Sequence, residues 1–109
     1  MAFVRVAATS DIPAGSMKKV SAGGEDILVA NVGGAYSALA NKCPHAGGSL
    51  AEGTLDGSIV TCPKHGAQFD VTSGKAVGKA KVVVFRVTPK DAKTYATRVE
   101  GSDILVDVP

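Results

Sequence analysis

Short apolar stretches alternate with polar positions along almost the whole chain, and none of them is long. Uninterrupted apolar runs reach only four residues, at positions 1–4, 27–30 and 82–85. Runs of this length bounded by Gly, Asn, Asp and Ser read as β-strands. The pattern predicts strands over residues 3–8, 17–21, 26–31, 35–40, 58–62, 67–71, 82–87, 94–100 and 103–108. The last two form the clearest hairpin, because Glu100-Gly101-Ser102 is a turn and Ile104, Val106 and Val108 alternate with Asp103 and Asp107. A helical reading competes over residues 49–55, but Gly53 limits it to about one turn. Glycine punctuates the strands as the doublets Gly23-Gly24, Gly33-Gly34 and Gly47-Gly48. About nine short strands with this punctuation predict an all-β sandwich or barrel.

The 109 residues suit one domain, spanning 1–109, with no internal repeat or linker. Twelve Lys and Arg against ten Asp and Glu leave a formal charge of only +2, too weak for a dedicated nucleic-acid or polybasic membrane protein. The apolar runs are too short to cross a bilayer as helices. Arg5 interrupts the first apolar stretch and no basic leader precedes a long hydrophobic segment, so a cytoplasmic location is expected. In a reducing compartment the two cysteines, Cys43 and Cys62, stay thiols unless something ties them together.

Their neighbours supply the main clue. Every Cys and every His of the chain falls in one of two matched turns, Cys43-Pro44-His45 and Cys62-Pro63-Lys64-His65, with 16 residues between His45 and Cys62. Each turn follows a predicted strand, and its proline fixes one φ angle. Two such turns can present two sulfurs and two nitrogens at one point. A tetrahedral zinc accepts that donor set, although one intervening residue in Cys-Pro-His is shorter than the usual zinc spacing. A Cys43–Cys62 disulfide leaves both histidines unexplained and needs an oxidising compartment. A 2Fe-2S cluster uses all four, with both thiolates on one iron and both imidazoles on the other.

The double motif resembles the Rieske iron-sulfur family. Its flanks agree over residues 41 to 75: Cys43-Pro44-His45-Ala46-Gly47-Gly48, then Cys62-Pro63-Lys64-His65-Gly66-Ala67-Gln68-Phe69-Asp70, then Ser73-Gly74. The resemblance implies a small antiparallel β-sandwich with a cluster-binding subdomain, placed at residues 41–80 and built from the two loops. It implies that Cys43 and Cys62 bind the inner iron and that His45 and His65 bind the outer one, which lies nearest the surface. Neutral imidazoles in place of two thiolates leave less negative charge around the irons, so the site is easier to reduce, with potentials of roughly −150 to +300 mV in such centres. High-potential relatives add a cysteine to each loop, joined as a disulfide, and a serine and a tyrosine that donate hydrogen bonds to the cluster. Here Gly48 and Lys64 stand at the cysteine positions, and Ala67 and Phe69 replace the hydroxyl residues, which predicts a potential at the low end of that range.

No histidine remains for the mononuclear iron that the larger oxygenases require, and no nucleophile-base pair stands out. The expected function is therefore one-electron transfer, from a reductase of the flavoprotein type to a terminal oxygenase or another acceptor, by a monomer resembling the small Rieske-type ferredoxins. The alternative is a small non-catalytic subunit of a multi-subunit reductase, similar to that of nitrite reductase. Lys42, Lys64, Lys75, Lys79 and Lys81 lie in or near the ligand loops and read either as a solvated face or as a surface that steers an acidic partner. Many relatives close a proline-containing loop over the cluster, whereas residues 75–80 contain no proline. Phe3, Tyr36, Phe85 and Tyr95 sit in strand patterns and read as core or sheet residues.

Overall fold

The computed structural model describes residues 2–42, 48–63, 66–77 and 91–108. These residues form ten strands and two single-turn 3-10 helices. The strands are β1 (Ala2–Ala8), β2 (Met17–Ala22), β3 (Glu25–Val32), β4 (Ala35–Ala40), β5 (Thr54–Asp56), β6 (Ile59–Thr61), β7 (Gln68–Asp70), β8 (Thr94–Tyr95), β9 (Thr97–Glu100) and β10 (Asp103–Val108). All pairings are antiparallel and make three sheets, β1-β10-β9, β2-β3-β4-β8 and β5-β6-β7.

Turn chemistry sets the register. Ala22 pairs with Glu25 across Gly23-Gly24, and Val32 with Ala35 across Gly33-Gly34. All four glycines have positive φ, from 59° to 97°, which tight two-residue hairpins favour and side chains resist. Strand β3 is the hinge of the architecture because both of its faces are buried. Leu28 and Ala30 pack into a core with Leu39, Leu50, Val60, Cys62 and Phe69. Ile27 and Val29 point the other way, into a core with Ile12, Val20, Ile104 and Val106. The four-stranded sheet thus lies between the other two, and its neighbour β5-β6-β7 carries the cysteine loop.

The all-β expectation is met, with two differences of detail. Residues 94–100 are two strands, β8 and β9, separated at Ala96 as the chain passes from one sheet to another. Strand β5 was not legible as an apolar run, since Leu55 is its only large apolar residue. It forms because Leu55 pairs with Val60 across a turn led by Gly57, whose φ is 62°. The strand expected at residues 82–87, and Phe85 with it, lies outside the described residues. The one-turn limit on residues 49–55 holds, as a 3-10 turn at Leu50–Glu52. No helix among the described residues is long and apolar enough to cross a membrane.

Candidate metal centre

Of the four candidate ligands, Cys62 is within the described residues, while Cys43, His45 and His65 lie outside them. What the structure defines is the frame from which both loops spring. The first loop leaves β4 and returns at Ser49, and Lys42 and Ser49 form an antiparallel bridge across its base. Asn41, only 5% exposed, locks that base. Its carbonyl accepts from the Leu50 N–H (2.9 Å) and its Oδ1 from the Ala51 N–H (2.9 Å), while its Nδ2 donates to Ser49 Oγ (2.8 Å). The buried amide is satisfied at both ends, and this one side chain joins the two feet of the loop.

The second loop springs from β6 and is closed by its own backbone. The Cys62 N–H donates to the Ala67 carbonyl (2.7 Å), and the Gly66 N–H donates to the Cys62 carbonyl (3.1 Å). Gly66 takes a φ of 77°, the left-handed conformation that glycine accepts without strain. Cys62, Ala67 and Phe69 are all fully buried, in the same core as Leu50 from the far foot of the first loop.

The two frames touch. A Cβ built on Gly53, just past the Leu50–Glu52 turn, would collide with the Thr61 carbonyl and crowd the Pro63 ring. Between them lies an open cleft of about 300 Å³, lined by Gly48, Ser49, Glu52 and Pro63. A third turn follows β7. The Asp70 carboxylate accepts from the Thr72 hydroxyl (2.6 Å) and N–H (2.9 Å), and these bonds hold it below the usual carboxylate range. The Gly74 N–H donates to the Asp70 carbonyl (2.7 Å), and the Ala92 N–H to that of Gly74 (2.7 Å).

The structure thus brings the foot of the first loop, Cys62, Ala67 and Phe69 together in one core. Lys42 and Lys75 are exposed, whereas Lys64, Lys79 and Lys81 lie outside the described residues. Tyr36 and Tyr95 are structural: the Tyr36 hydroxyl donates to the Thr9 and Ile12 carbonyls, and the Tyr95 hydroxyl to Glu25. Phe3 lies under the Arg98 guanidinium, 4.1 Å from ring centroid to Cζ. Asn41, and the close packing that Gly53 permits against Thr61, escaped the sequence reading. An Asn two residues before the first Cys is the only hint of the clamp.

Residues 2–95 match the model of the Rieske [2Fe-2S] domain. The chain belongs to that family. It is 37% identical to the ferredoxin component of biphenyl 2,3-dioxygenase from Rhodococcus jostii (strain RHA1), over 99% of this chain and 94% of that protein. It is also 35% identical to the ferredoxin CarAc of Metapseudomonas resinovorans, over 85% of this chain and 91% of that one. Among solved structures it is similar to the Sphingomonas yanoikuyae B1 ferredoxin, with a TM-score of 0.85, 28% identity and coverage of 99% and 100% of the two chains. A chain in a complex of reduced oxygenase and oxidized ferredoxin in carbazole 1,9a-dioxygenase matches with a TM-score of 0.82 and 30% identity, covering 95% of this chain and 91% of that one. This Rieske protein is accordingly an electron carrier and not a catalyst in its own right, and its family implies an iron-sulfur cluster.

Proposed function

We propose that Cys43, His45, Cys62 and His65 hold one Rieske-type 2Fe-2S cluster, the two thiolates on one iron and the two imidazoles on the other. In this reading the chain passes single electrons from a flavoprotein reductase to a terminal oxygenase, working as a monomer in the cytoplasm. Residues 41–80 act as the cluster-binding subdomain of a single domain, 1–109. The observation that carries the proposal is the match to dioxygenase ferredoxin components along nearly the whole chain.

The donor chemistry fits. Thiolate suits iron-sulfur clusters and imidazole suits iron, and Cys62 is placed in a loop whose backbone is already closed. When bound, such a cluster supplies a one-electron acceptor that is easier to reduce than its all-cysteine counterpart. The chain's own residues do the rest. Asn41 and Gly53 hold the loop bases in register, and the buried Leu50, Ala67 and Phe69 keep water from the core beneath Cys62. Ala67 and Phe69 also offer no hydroxyl donor, which favours a low potential.

The test is an electron paramagnetic resonance spectrum of the dithionite-reduced protein, together with iron and acid-labile sulfide analysis. Equal iron and sulfide and a spectrum shifted away from that of an all-cysteine cluster are expected. Colourless protein containing zinc would sink the proposal.

A further inference from the structure

The described basic residues divide into two groups. Arg5, Lys93 and Arg98 each pair with a carboxylate, of Asp103, Glu25 and Glu100 respectively. Lys18, Lys19, Lys42 and Lys75 have no ion pair among the described residues, and of these Lys19 and Lys42 line one open pocket of about 270 Å³ with Asp26, Asn41, Gly48 and Ser49. That pocket shares Gly48 and Ser49 with the cleft between the two loop frames. Lys42 directly precedes Cys43. Lys19 is on the face of β2 that also carries Met17, which packs against the core containing Cys62, whereas Val20 belongs to the opposite core.

The other polar groups of the pocket are already committed. The Asn41 amide is spent on Ser49 and Ala51, and the Asp26 carboxylate accepts from the Ser21 hydroxyl (2.9 Å). Within the pocket two ammonium groups therefore stand against one carboxylate, a local excess of positive charge, while Glu52 lines the adjoining cleft. Both lysines are exposed, so a side chain of another protein can reach them.

We infer that this pocket is a docking point for a protein redox partner, taking an Asp or Glu side chain of an acidic surface between Lys19 and Lys42. The inference rests on the electron-carrier reading above and adds to it the sign of the partner's charge and the place where it binds. Binding here seats the partner beside the first ligand loop. Its effect falls mainly on the association rate and weakens with salt, because exposed charges are screened over about 10 Å at 0.1 M ionic strength.

The test uses the holoprotein at gold electrodes coated with carboxylate-terminated or amine-terminated monolayers, the carboxylate surface standing in for the partner. Fast electron exchange is expected on the carboxylate surface at low salt, and little on the amine surface. Lys19→Glu and Lys42→Glu should each slow the exchange about tenfold, whereas Lys18→Glu, which makes the same charge change on the other face of β2, should leave it within about twofold. Equal exchange on both surfaces, or a Lys18→Glu effect as large as that of Lys19→Glu, would overturn the docking site while the resonance spectrum stayed normal. Loss of the Rieske-type spectrum in the unmutated protein would instead overturn the electron-carrier reading itself.

Discussion

The carbonyl of Thr61 occupies the space that a Cβ at position 53 would need. Gly53 has a φ of −88°, an ordinary value, so glycine is required there for room and not for backbone freedom. Gly53→Ala should force β6 away from the Leu50–Glu52 turn, lowering stability by about 1–3 kcal/mol and reducing iron content. Gly57→Ala is the control: its Cβ meets nothing, though φ is 62°, so a loss of about 1 kcal/mol with iron retained is expected. Thermal melts and iron per chain check both.

Asn41 offers a second handle on the same loop. Its replacement by Ala leaves the Ala51 N–H without its acceptor and the Ser49 hydroxyl without its donor. A loss of about 1–3 kcal/mol is expected, together with faster iron release to a chelator. Asn41→Asp keeps the acceptor for Ala51 and should fall between Ala and the unmutated protein in release rate.

Ala67 and Phe69 are fully buried in the core that holds Cys62, and the family resemblance matches them to the hydroxyl residues of high-potential members. Ala67→Ser with Phe69→Tyr should raise the midpoint potential. A hydrogen bond of about 1.5 kcal/mol to a charged acceptor corresponds to roughly 60 mV for one electron. An unchanged midpoint in protein-film voltammetry would refute the role given to these two positions.

Histidine ligation makes a separate claim on the pH profile. An oxidised cluster acidifies the free N–H of each imidazole ligand more than a reduced one does. Where the oxidised form has lost that proton, reduction takes it up again, so the midpoint should be flat near neutrality and fall at alkaline pH by up to ~59 mV per pH unit for each proton taken up. A midpoint independent of pH into the strongly alkaline range would count against His45 and His65.

The Tyr95 phenol is pushed up to about 12 by burial, by its hydrogen bond to Glu25 and by that carboxylate's charge. An acid whose value is raised by folding gives up its proton first in the unfolded chain. Its contribution is intact below pH 10, erodes above it and is lost as pH passes about 12. Urea titrations across that window should show stability falling with pH, and Tyr95→Phe should make the fall shallower by an amount on the order of 1–2 kcal/mol.

Much of this was legible in the chain. The hairpins at Gly23-Gly24 and Gly33-Gly34 and the buried series Ile104, Val106 and Val108 follow from turn chemistry and period-two alternation. The Cys-His spacing pointed to the family that the comparisons then showed. Strand β5 was hidden because its pairing is made by a partner and a turn, not by its own apolar content. Asn41 and the packing role of Gly53 were hidden for a related reason. Each matters through a neighbour distant in sequence, the Ser49–Ala51 foot for one and the Thr61 carbonyl for the other, and no local pattern records such a meeting.

Strand β3 feeds both interiors, through Leu28 and Ala30 on one side and Ile27 and Val29 on the other. Heat cannot melt one half while the other stays solid, because each would have to surrender the same strand. A calorimetric scan should therefore trace a single endotherm, and stripping the iron should move that peak as a whole instead of splitting it.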